Sequence, residues 1–387
     1  MNKAFFINGG AGRVLCSIPA LEKYAETHED FIIVSESWSE LYLNNKILRD
    51  HVYPLGHKDL FEEKLKDKQI VSPEPYRVNQ YFNQKCNLIQ AFDILINELD
   101  DVPTTGKINL ELNKEDQVNG HLITKNVRDT TGKEKIIVFQ PFGQSAKAEG
   151  QFIYDSSGRS FEIAHIIKLI QELNKDYGVV LMSTITIPGW ESLGIAAPQG
   201  MGLNGWMGVI NSADYFLGCD SVGQHMAYSL NIPTTVVIGS TFPENISYPD
   251  SKKFTIIDNG KGKRKYSPIR LTMDICGDRD NEDLMVLDDS TLKSIVKGIK
   301  NKIGVSKKDL KTTLGVSNTH HMVESDPNAT DRIAESGFGK QSSFIKPKGL
   351  KESVLNPVKY DKPFNPPKSK KKKKPIDELL EIESKKS

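Results

Sequence analysis

The sequence predicts an α/β protein with two Rossmann-like domains that face a cleft, followed by a disordered basic C-terminal tail. Strand and helix signals alternate from the N-terminus, and near residue 135 the alternation restarts with a strand that runs into a glycine turn. From residue 305 onward, apolar residues are isolated among Ser, Asn, Asp, Lys and Pro, a composition that buries too little apolar surface to fold alone. We therefore expect two α/β halves and a tail that is disordered in the free monomer.

The first half begins with a strand signal at 3–8, followed by a glycine-rich stretch and an amphipathic helix over 13–26. A second apolar run, FIIVS at 31–35, has the character of a buried strand. Residues 81–99 have the spacing of one long amphipathic helix. Because strand, helix and strand follow one another in this order, we expect right-handed parallel βαβ units.

The polar segment 113–134 separates the halves, because its periodicity is weak and it contains several turn formers. We place the domain boundary here, with an N-terminal domain over 1–125, a C-terminal domain over 133–304 and the Lys-rich tail over 305–387. The elements predicted in the second half are, in order, strand 135–143, helix 161–178, strand 179–183, helix 207–213, strand 215–220, helix 224–231, strand 234–240 and helix 290–304. Each half thus opens with a strand and a glycine turn.

The net charge of +1 conceals an uneven distribution. Residues 305–387 contain 18 Lys and Arg against 11 Asp and Glu, a charge of about +7, and the remaining residues contain 33 against 39, about −6. We interpret the run Lys370–Lys374 as a solvated, flexible charge block, with weak attraction to a polyanion or a membrane surface as the alternative. Because the body is mildly acidic, no specific nucleic-acid partner is expected.

The sequence shows no signal for a membrane span, a disulfide framework or a metal site. No apolar run approaches the roughly 20 residues that span a bilayer, and the N-terminus lacks the apolar core of a signal peptide. The cysteines are scattered and form neither a disulfide framework nor a CxxC metal site, and no histidine has ligand spacing with a nearby Cys or Asp. We therefore expect a cytoplasmic protein with no metal site and no cofactor.

The first candidate site is the segment FFINGGAGRVLCSIPALEKY, 5–24, in which a strand enters three glycines within four positions. Gly9, Gly10 and Gly12 would let an anionic ligand approach the backbone N–H groups at the start of a helix. The alternative is a tight strand-to-helix turn that holds no ligand.

The second candidate site lies in ADYFLGCDSVGQHMAYSLNIPTTVVIGSTFPEN, 213–245, where a strand ends at Asp220. The helix that follows begins with Ser221, Val222, Gly223 and Gln224, and His225 lies in its first turn. Exposed N–H groups here, together with the Ser221 hydroxyl, would suit a diphosphate. The alternatives are an ordinary N-cap for Asp220 and Ser221, and for His225 a half-buried side chain bonded to the backbone.

Together these motifs resemble glycosyltransferase family 9, the lipopolysaccharide heptosyltransferases and their relatives. GAGRVLCSIPAL (10–21) is similar to the family's first loop, SxGDxxxxxPxL, in Gly12, Pro19, Ala20 and Leu21. The family's second motif, D-[ST]-G-x-x-H-x-x-A-A followed by Pro and a G-x-T turn, is matched by Asp220, Ser221, His225, Ala227, Pro233, Gly239 and Thr241. A third feature, a strand into a small or hydroxylated turn and then a basic residue before an aromatic, resembles 139–161, with Ser145 or Lys147 in the turn and Arg159 before Phe161. The resemblance covers roughly residues 1–300.

The resemblance implies a GT-B fold and a metal-independent, inverting transfer of a sugar from a nucleotide-diphosphate donor to a saccharide acceptor. The donor, ADP-heptose by default, would sit on the C-terminal domain, and the acceptor, a cell-surface glycan of the kind made in lipopolysaccharide biosynthesis, on the N-terminal domain. By position in the motif, the diphosphate would be bound by Ser221, Val222 and Gly223. Arg159, with Ser145 or Lys147, would neutralise the charge that grows on the leaving group.

Two positions depart from the family pattern. Val222 stands where the family has glycine, and it crowds the phosphate loop unless Gly223 provides the close approach. Arg13 stands where the family has the aspartate that acts as base. Arginine stays protonated, so Arg13 cannot take the proton of the acceptor hydroxyl.

Three explanations of Arg13 stay open. In the first, Arg13 binds an anionic acceptor or the donor phosphates while another carboxylate, Glu36 or Asp101, acts as base. In the second, the donor or the reaction differs from heptosyl transfer. In the third, the site is catalytically inactive, and the chain is a binding or assembly component with a GT-B fold that acts through its basic tail.

Overall fold

Two parallel β-sheets, one from each half of the chain, form the framework of the structure. The structure is a computed structural model that describes residues 2–149, 152–187, 189–265 and 283–305. The tail predicted over 305–387 lies outside these residues except for Val305, and the lysine run Lys370–Lys374 therefore does so too.

The first sheet contains β1 (Lys3–Ile7), β2 (Ile32–Ser35), β3 (Val52–Pro54) and β4 (Gln69–Val71). Within the described residues the strand order is β3-β2-β1-β4, and every pair is parallel. The strands predicted at 3–8 and 31–35 are confirmed. Phe5 and Ile33 face each other in the register of β1 and β2, and both are fully buried, which explains the continuous apolar character of the two segments.

The helices of this half are α1 (Ala11–Ala25), α2 (Glu40–Leu43), α3 (Asn79–Phe82) and α4 (Leu88–Ile96). The prediction of one long helix over 81–99 is wrong. The Asn87 side chain accepts a hydrogen bond from the Gln90 backbone N–H at 3.0 Å, and the Gln90 side chain accepts one from the Asn87 N–H at 2.9 Å. This capping box begins a new helix at a point where the apolar spacing alone shows no break.

The second half contains β5 (Ile136–Gln140), β6 (Ala146–Glu149), β7 (Phe152–Asp155), β8 (Gly178–Leu181), β9 (Tyr215–Cys219), β10 (Thr234–Ile238) and β11 (Phe254–Asp258). In the part of the chain that the structure describes, the second sheet is parallel with the order β11-β10-β9-β5-β8. β6 and β7 form a separate antiparallel hairpin. The four strands predicted in this half are confirmed by β5, β8, β9 and β10.

The helices of the second half follow α5 (Lys114–Thr131) and are α6 (Ile163–Leu173), α7 (Leu203–Asn211), α8 (Val222–Ser229), α9 (Pro243–Ile246) and α10 (Asp289–Ile303). The four predicted helices correspond to α6, α7, α8 and α10. Helix α5 lies in the polar segment, where the sequence pattern predicts no helix. Its N-cap is Asn113, whose side chain accepts from the Asp116 N–H at 2.7 Å, and it ends at Gly132, which has a φ of 66°.

Helix α5 packs against α7 at backbone distance. A Cβ on Gly120 would lie 2.1 Å from the Gly208 carbonyl carbon, and a Cβ on Gly208 would lie 2.0 Å from the Asp116 oxygen. Glycine is therefore required on both helices at this crossing. The domain boundary at 113–134 stays a prediction.

One apolar cluster joins helices of the two halves. It includes Leu15 of α1 and Phe92 of α4 together with Met207 of α7 and Met226 of α8, all fully buried. This shared core holds α1 against α8, so the starts of these helices have fixed positions relative to each other. Among the described residues, no helix combines the length and the apolar character that crossing a membrane requires.

Candidate functional site

The N-termini of α1 and α8 meet at the ends of strands from different sheets. Helix α1 begins after β1 and α8 begins after β9. A Cβ on Gly12 would lie 2.9 Å from Cδ2 of His225 and 3.9 Å from the Val222 Cα. Because the N–H groups at a helix start carry partial positive charge, the two helix ends together favour an anion beside them.

Each of the three glycines in the first loop is required by a backbone angle or by a close contact within the chain. Gly9 has a φ of 94°, in the left-handed region that side chains avoid. A Cβ on Gly10 would lie 2.9 Å from Oε1 of Gln144, a residue of the second half. Gly12 allows the contact with α8. The loop is thus a tight strand-to-helix turn, and that turn also places a helix start at the junction of the halves.

Arg13 is buried in the first half, with 5% of its surface exposed. Its Nη1 donates to Oε1 of Glu74 at 2.8 Å, and its Nη2 donates to the Pro73 carbonyl at 3.1 Å. The guanidinium also lies over the rings of Tyr76 and Phe92, with its carbon 5.2 and 5.6 Å from the ring centroids. A carboxylate within the protein therefore already balances the charge of Arg13.

The carboxylate beside Arg13 is Glu74, which sequence reasoning missed. The two candidate bases from the sequence, Glu36 after β2 and Asp101 after α4, are both exposed. Glu74 lies between two prolines in the segment that connects β4 to α3, and 61 residues separate it from Arg13. No local pattern in the sequence signals a contact over that separation.

In the second half, the Gln140 side chain at the end of β5 forms two hydrogen bonds with the start of α8. The Gly223 N–H donates to Oε1 of Gln140 at 2.9 Å, and Nε2 of Gln140 donates to the Ser221 hydroxyl oxygen at 3.1 Å. A Cβ on Gly223 would lie 2.3 Å from the same Oε1. The Gly223 amide thus has a partner inside the chain, whereas the Ser221 hydroxyl accepts the Gln140 bond and retains its own proton for donation.

Asp220 is a buried carboxylate at the end of β9. It accepts hydrogen bonds from the Thr241 hydroxyl at 2.9 Å and from Nε2 of Gln224 at 3.1 Å. Nη1 of Arg159 lies 3.8 Å from Oδ2 of Asp220, the same oxygen that accepts from Thr241. The motif residues Asp220 and Thr241 are therefore brought together, and Asp220 serves as an anchor for Arg159.

Arg159 is fixed from its other side as well. Its Nε donates to the Ser157 hydroxyl oxygen at 2.9 Å, and the Ser157 hydroxyl donates to Asp155. Burial raises the pKa of Asp155, but hydrogen bonds from Ser157 and Ser160 hold that pKa below its usual value. Burial lowers the pKa of Arg159, and Asp220 and Asp155 outweigh this effect and raise it. Arg159 is therefore a permanently charged, oriented cation.

Ser145 and Lys147 lie in and after the turn that precedes the β6–β7 hairpin. Ser145 is half-buried, and Lys147 is exposed on β6 opposite Tyr154 of β7. A Cβ on Gly143, at the start of this turn, would lie 3.8 Å from Cζ of Arg159. The predicted residues are therefore carried by a hairpin whose base adjoins Arg159.

His225 is buried at the contact between α1 and α8. Its Nδ1 lies 2.6 Å from the Tyr248 hydroxyl and 3.5 Å from Sγ of Cys16. Burial lowers the pKa of His225 to about 4, although Asp220 opposes the shift. The imidazole is therefore neutral at neutral pH. Its bonds are to side chains, not to the backbone as the alternative interpretation expected, and they connect the two halves.

Tyr76 lies beside Arg13, whose guanidinium carbon is 5.2 Å from the centroid of its ring. Burial raises the pKa of its hydroxyl; Arg13 and Arg159 lower that pKa, and Glu74 and Asp220 raise it. The phenol is therefore within electrostatic reach of the Arg13–Glu74 pair and of the Arg159–Asp220 pair.

The segment that carries Tyr76 is tied to the second half by Asn245 of α9, whose Nδ2 donates to the carbonyls of Tyr81 and Cys86 at 2.8 and 2.9 Å. These bonds hold the segment that follows Tyr76 against the second half. Sequence reasoning missed Glu74, Tyr76, Gln140 and Tyr248, because each acts through contacts with distant parts of the chain.

No protein-family model matches the sequence, and neither does any curated protein. Among solved structures, a family 9 glycosyl transferase from Veillonella parvula aligns with a TM-score of 0.55 at 12% identity, over 77% of this chain and 96% of that one. The ADP-heptose lipopolysaccharide heptosyltransferase II of E. coli aligns with a TM-score of 0.46 at 12% identity, over 78% and 98%. The dodecameric iron-containing glycosyltransferase TibC of enterotoxigenic E. coli aligns with a TM-score of 0.49 at 11% identity, over 78% and 76%.

The alignment with the Veillonella protein spans nearly all of that chain and about three quarters of this one. It confirms the fold that the sequence motifs predict. The chain has the two-sheet α/β fold, of GT-B type, that is found in a family 9 glycosyltransferase.

Proposed function

We propose that this chain is a glycosyltransferase that moves a sugar from a nucleoside-diphosphate donor to a hydroxyl group of a saccharide acceptor. The observation that carries the proposal is the meeting of the α1 and α8 N-termini beside Arg159, at the carboxyl ends of parallel strands from both sheets. In α/β folds this is the place where anionic ligands bind, and two helix ends with one fixed guanidinium suit a diphosphate.

Within this proposal, Arg159 is the group that stabilises the leaving nucleoside diphosphate. Asp155 and Asp220 hold it in place before the reaction, so no reorganisation is needed as negative charge develops. The Ser221 hydroxyl and the first N–H groups of α8 bind the phosphates, and Lys147 and Ser145 reach them from the hairpin. Residues 133–304 form the donor domain and residues 1–125 the acceptor domain.

The finer assignments rest on the sequence motifs. They are an inverting, metal-independent reaction, ADP-heptose as donor, a cell-surface glycan as acceptor, and a cytoplasmic location. The competing proposal, a catalytically inactive GT-B protein that binds a partner, starts from Arg13 in place of an aspartate. Turnover of a nucleotide sugar separates the two.

Thermal unfolding of the full chain with a panel of nucleoside diphosphates and nucleotide sugars tests the proposal. A ligand at a hundredfold excess over its dissociation constant stabilises the folded state by about 2.7 kcal/mol. We expect a selective shift in Tm with one nucleotide, and we expect Arg159→Ala and Ser221→Ala to abolish it. Lys168→Ala, which removes an exposed cation of α6, is the matched control and keeps the shift. Absence of a shift with every ligand contradicts the donor site.

A further inference from the structure

Glycosyl transfer to a hydroxyl group requires a proton acceptor beside that hydroxyl. Arg13, in the first turn of α1, cannot serve, because a guanidinium stays protonated at any working pH. The side chain that contacts Arg13 is a carboxylate, Glu74. The site therefore contains a base of suitable chemistry, although it comes from a different part of the chain.

The geometry of Glu74 fits a base that is held ready. Oε1 accepts from Arg13 Nη1 at 2.8 Å, and the same guanidinium donates to the carbonyl of Pro73, the residue before it. Two charge-assisted bonds to neighbouring residues fix both the backbone and the carboxylate. The Glu74 side chain is 12% exposed, and Oε2 accepts no hydrogen bond from any residue that the structure describes. One oxygen is thus held and the other remains for a substrate.

Glu74 also lies on the correct side of the site. Arg13, which binds Glu74, follows Gly12, and Gly12 contacts His225 of α8. The carboxylate therefore lies near the junction of the two halves. Two other carboxylates, the half-buried Asp155 and the buried Asp220 beside Arg159, are occupied by hydrogen bonds from Ser, Thr and Gln side chains.

We propose that Glu74 is the general base of the reaction, an inference that rests on the proposed function. Oε2 of Glu74 takes the proton of the acceptor hydroxyl. The acceptor oxygen forms a bond to the anomeric carbon, and the bond from that carbon to the diphosphate oxygen breaks. The nucleoside diphosphate leaves with the electron pair beside Arg159. Arg13 is the positioning residue that holds Glu74 in place.

The test compares variants of the full chain in two measurements. The first measurement is the Tm shift with the nucleotide selected from the panel. The second is the release of nucleoside diphosphate from the nucleotide sugars that contain this nucleotide, and from ADP-heptose, with water as the acceptor. We expect Glu74→Gln to keep the Tm shift and the KM for the donor and to lose at least a hundredfold in kcat, the scale of general base catalysis. Glu172→Gln, an exposed carboxylate of α6, is the matched control and keeps both.

Two further variants distinguish loss of the base from misfolding of the protein. Glu74→Asp keeps the charge beside Arg13 and retains more activity than Glu74→Gln. The double variant Arg13→Asp with Glu74→Gln moves the carboxylate onto α1 and regains at least tenfold over Glu74→Gln alone. A structural role for Glu74 predicts no such recovery, because the double variant has lost the ion pair completely.

The outcomes separate the inference from the proposed function. If the wild-type protein turns over donor and Glu74→Gln stays within threefold of it, Glu74 is not the base and the glycosyltransferase proposal stands. If the double variant gains nothing over a well-folded Glu74→Gln, a carboxylate at this place is not what the reaction needs. If the wild type binds no nucleotide or releases no nucleoside diphosphate, the proposed function fails and the inference fails with it.

Discussion

Gly12 of α1 and His225 of α8 are in contact at a distance that leaves no room for a side chain on Gly12. A Cβ there would lie 2.9 Å from Cδ2 and 3.2 Å from Nε2 of the imidazole. The imidazole cannot retreat easily, because its Nδ1 is held by the Tyr248 hydroxyl at 2.6 Å. The glycine of the first motif and the histidine of the second therefore form one contact, which joins the halves at the candidate site.

Gly12→Ala should destabilise the folded protein. The added methyl group forces α1 away from α8 or moves His225, and overpacking of this kind costs about 1–3 kcal/mol. Gly298→Ala on α10 is the matched control, because a Cβ there meets no atom within 4 Å and alanine favours a helix by about 1 kcal/mol. The free energy of unfolding in urea measures both. Because alanine also favours the helix at Gly12, the two variants are compared with each other, and an equal gain in both would mean that α1 and α8 are not in contact as described.

The stability of the protein should fall as the pH is lowered from neutral, because of His225. Its pKa is about 4 in the folded state against 6.5 for the ordinary side chain, so the unfolded state binds more protons between these values. The folded state therefore has its full stability above pH 6.5 and loses about 1.4 kcal/mol per pH unit down to pH 4, about 3 kcal/mol in all. The groups that face the imidazole are Tyr248, Cys16 and Asp220.

The measurement is the free energy of unfolding in urea between pH 7 and pH 4 for the wild type and His225→Gln. Glutamine removes the titrating ring. The free energy of unfolding should therefore change less steeply with pH over this range, because unfolding takes up about one proton fewer. His121→Gln, at an exposed position of α5, is the matched control and should leave the slope as it is. A slope that does not change in His225→Gln would place the origin of the acid sensitivity in other groups.

The sequence predicts the two strand-to-helix junctions of the candidate site, because these depend on local signals. The β1–α1 and β9–α8 junctions each combine a buried strand, a glycine and a helix start within a few residues, and both are found as expected. Helix α5 was missed because only Gly120, Thr124 and Val127 of its 18 residues are buried, too few for a clear apolar period.

The Arg13–Glu74 pair shows a different limit. It spans 61 residues and depends on how the segment after β4 folds back over α1, which no residue pattern near either partner encodes. The sequence shows an arginine where the family pattern has a base, and only the tertiary structure shows which carboxylate contacts that arginine. Contacts between distant segments thus account for most of what the motifs left open.

Gln140→Glu should weaken nucleotide binding while leaving the fold intact. Glu keeps an oxygen for the Gly223 N–H, which Gln140 now accepts at 2.9 Å, and a carboxylate at the start of α8 is favoured by the helix dipole. The Ser221 hydroxyl can donate to the new carboxylate in place of accepting from the amide. The added negative charge lies where the proposed diphosphate binds, and a repulsion of about 1.4 kcal/mol raises the dissociation constant tenfold.

Calorimetric titration with the nucleoside diphosphate selected from the panel measures this effect, alongside unfolding in urea. Gln171→Glu on the exposed face of α6 makes the same change of charge in the same half of the chain and is the matched control. We expect a dissociation constant at least tenfold higher for Gln140→Glu, a near-wild-type value for Gln171→Glu, and similar unfolding free energies for both. Unchanged affinity in a stable Gln140→Glu protein would mean that the phosphates do not lie at the start of α8. A carboxylate bonded to the Gly223 N–H would repel a diphosphate bound there and would weaken its binding.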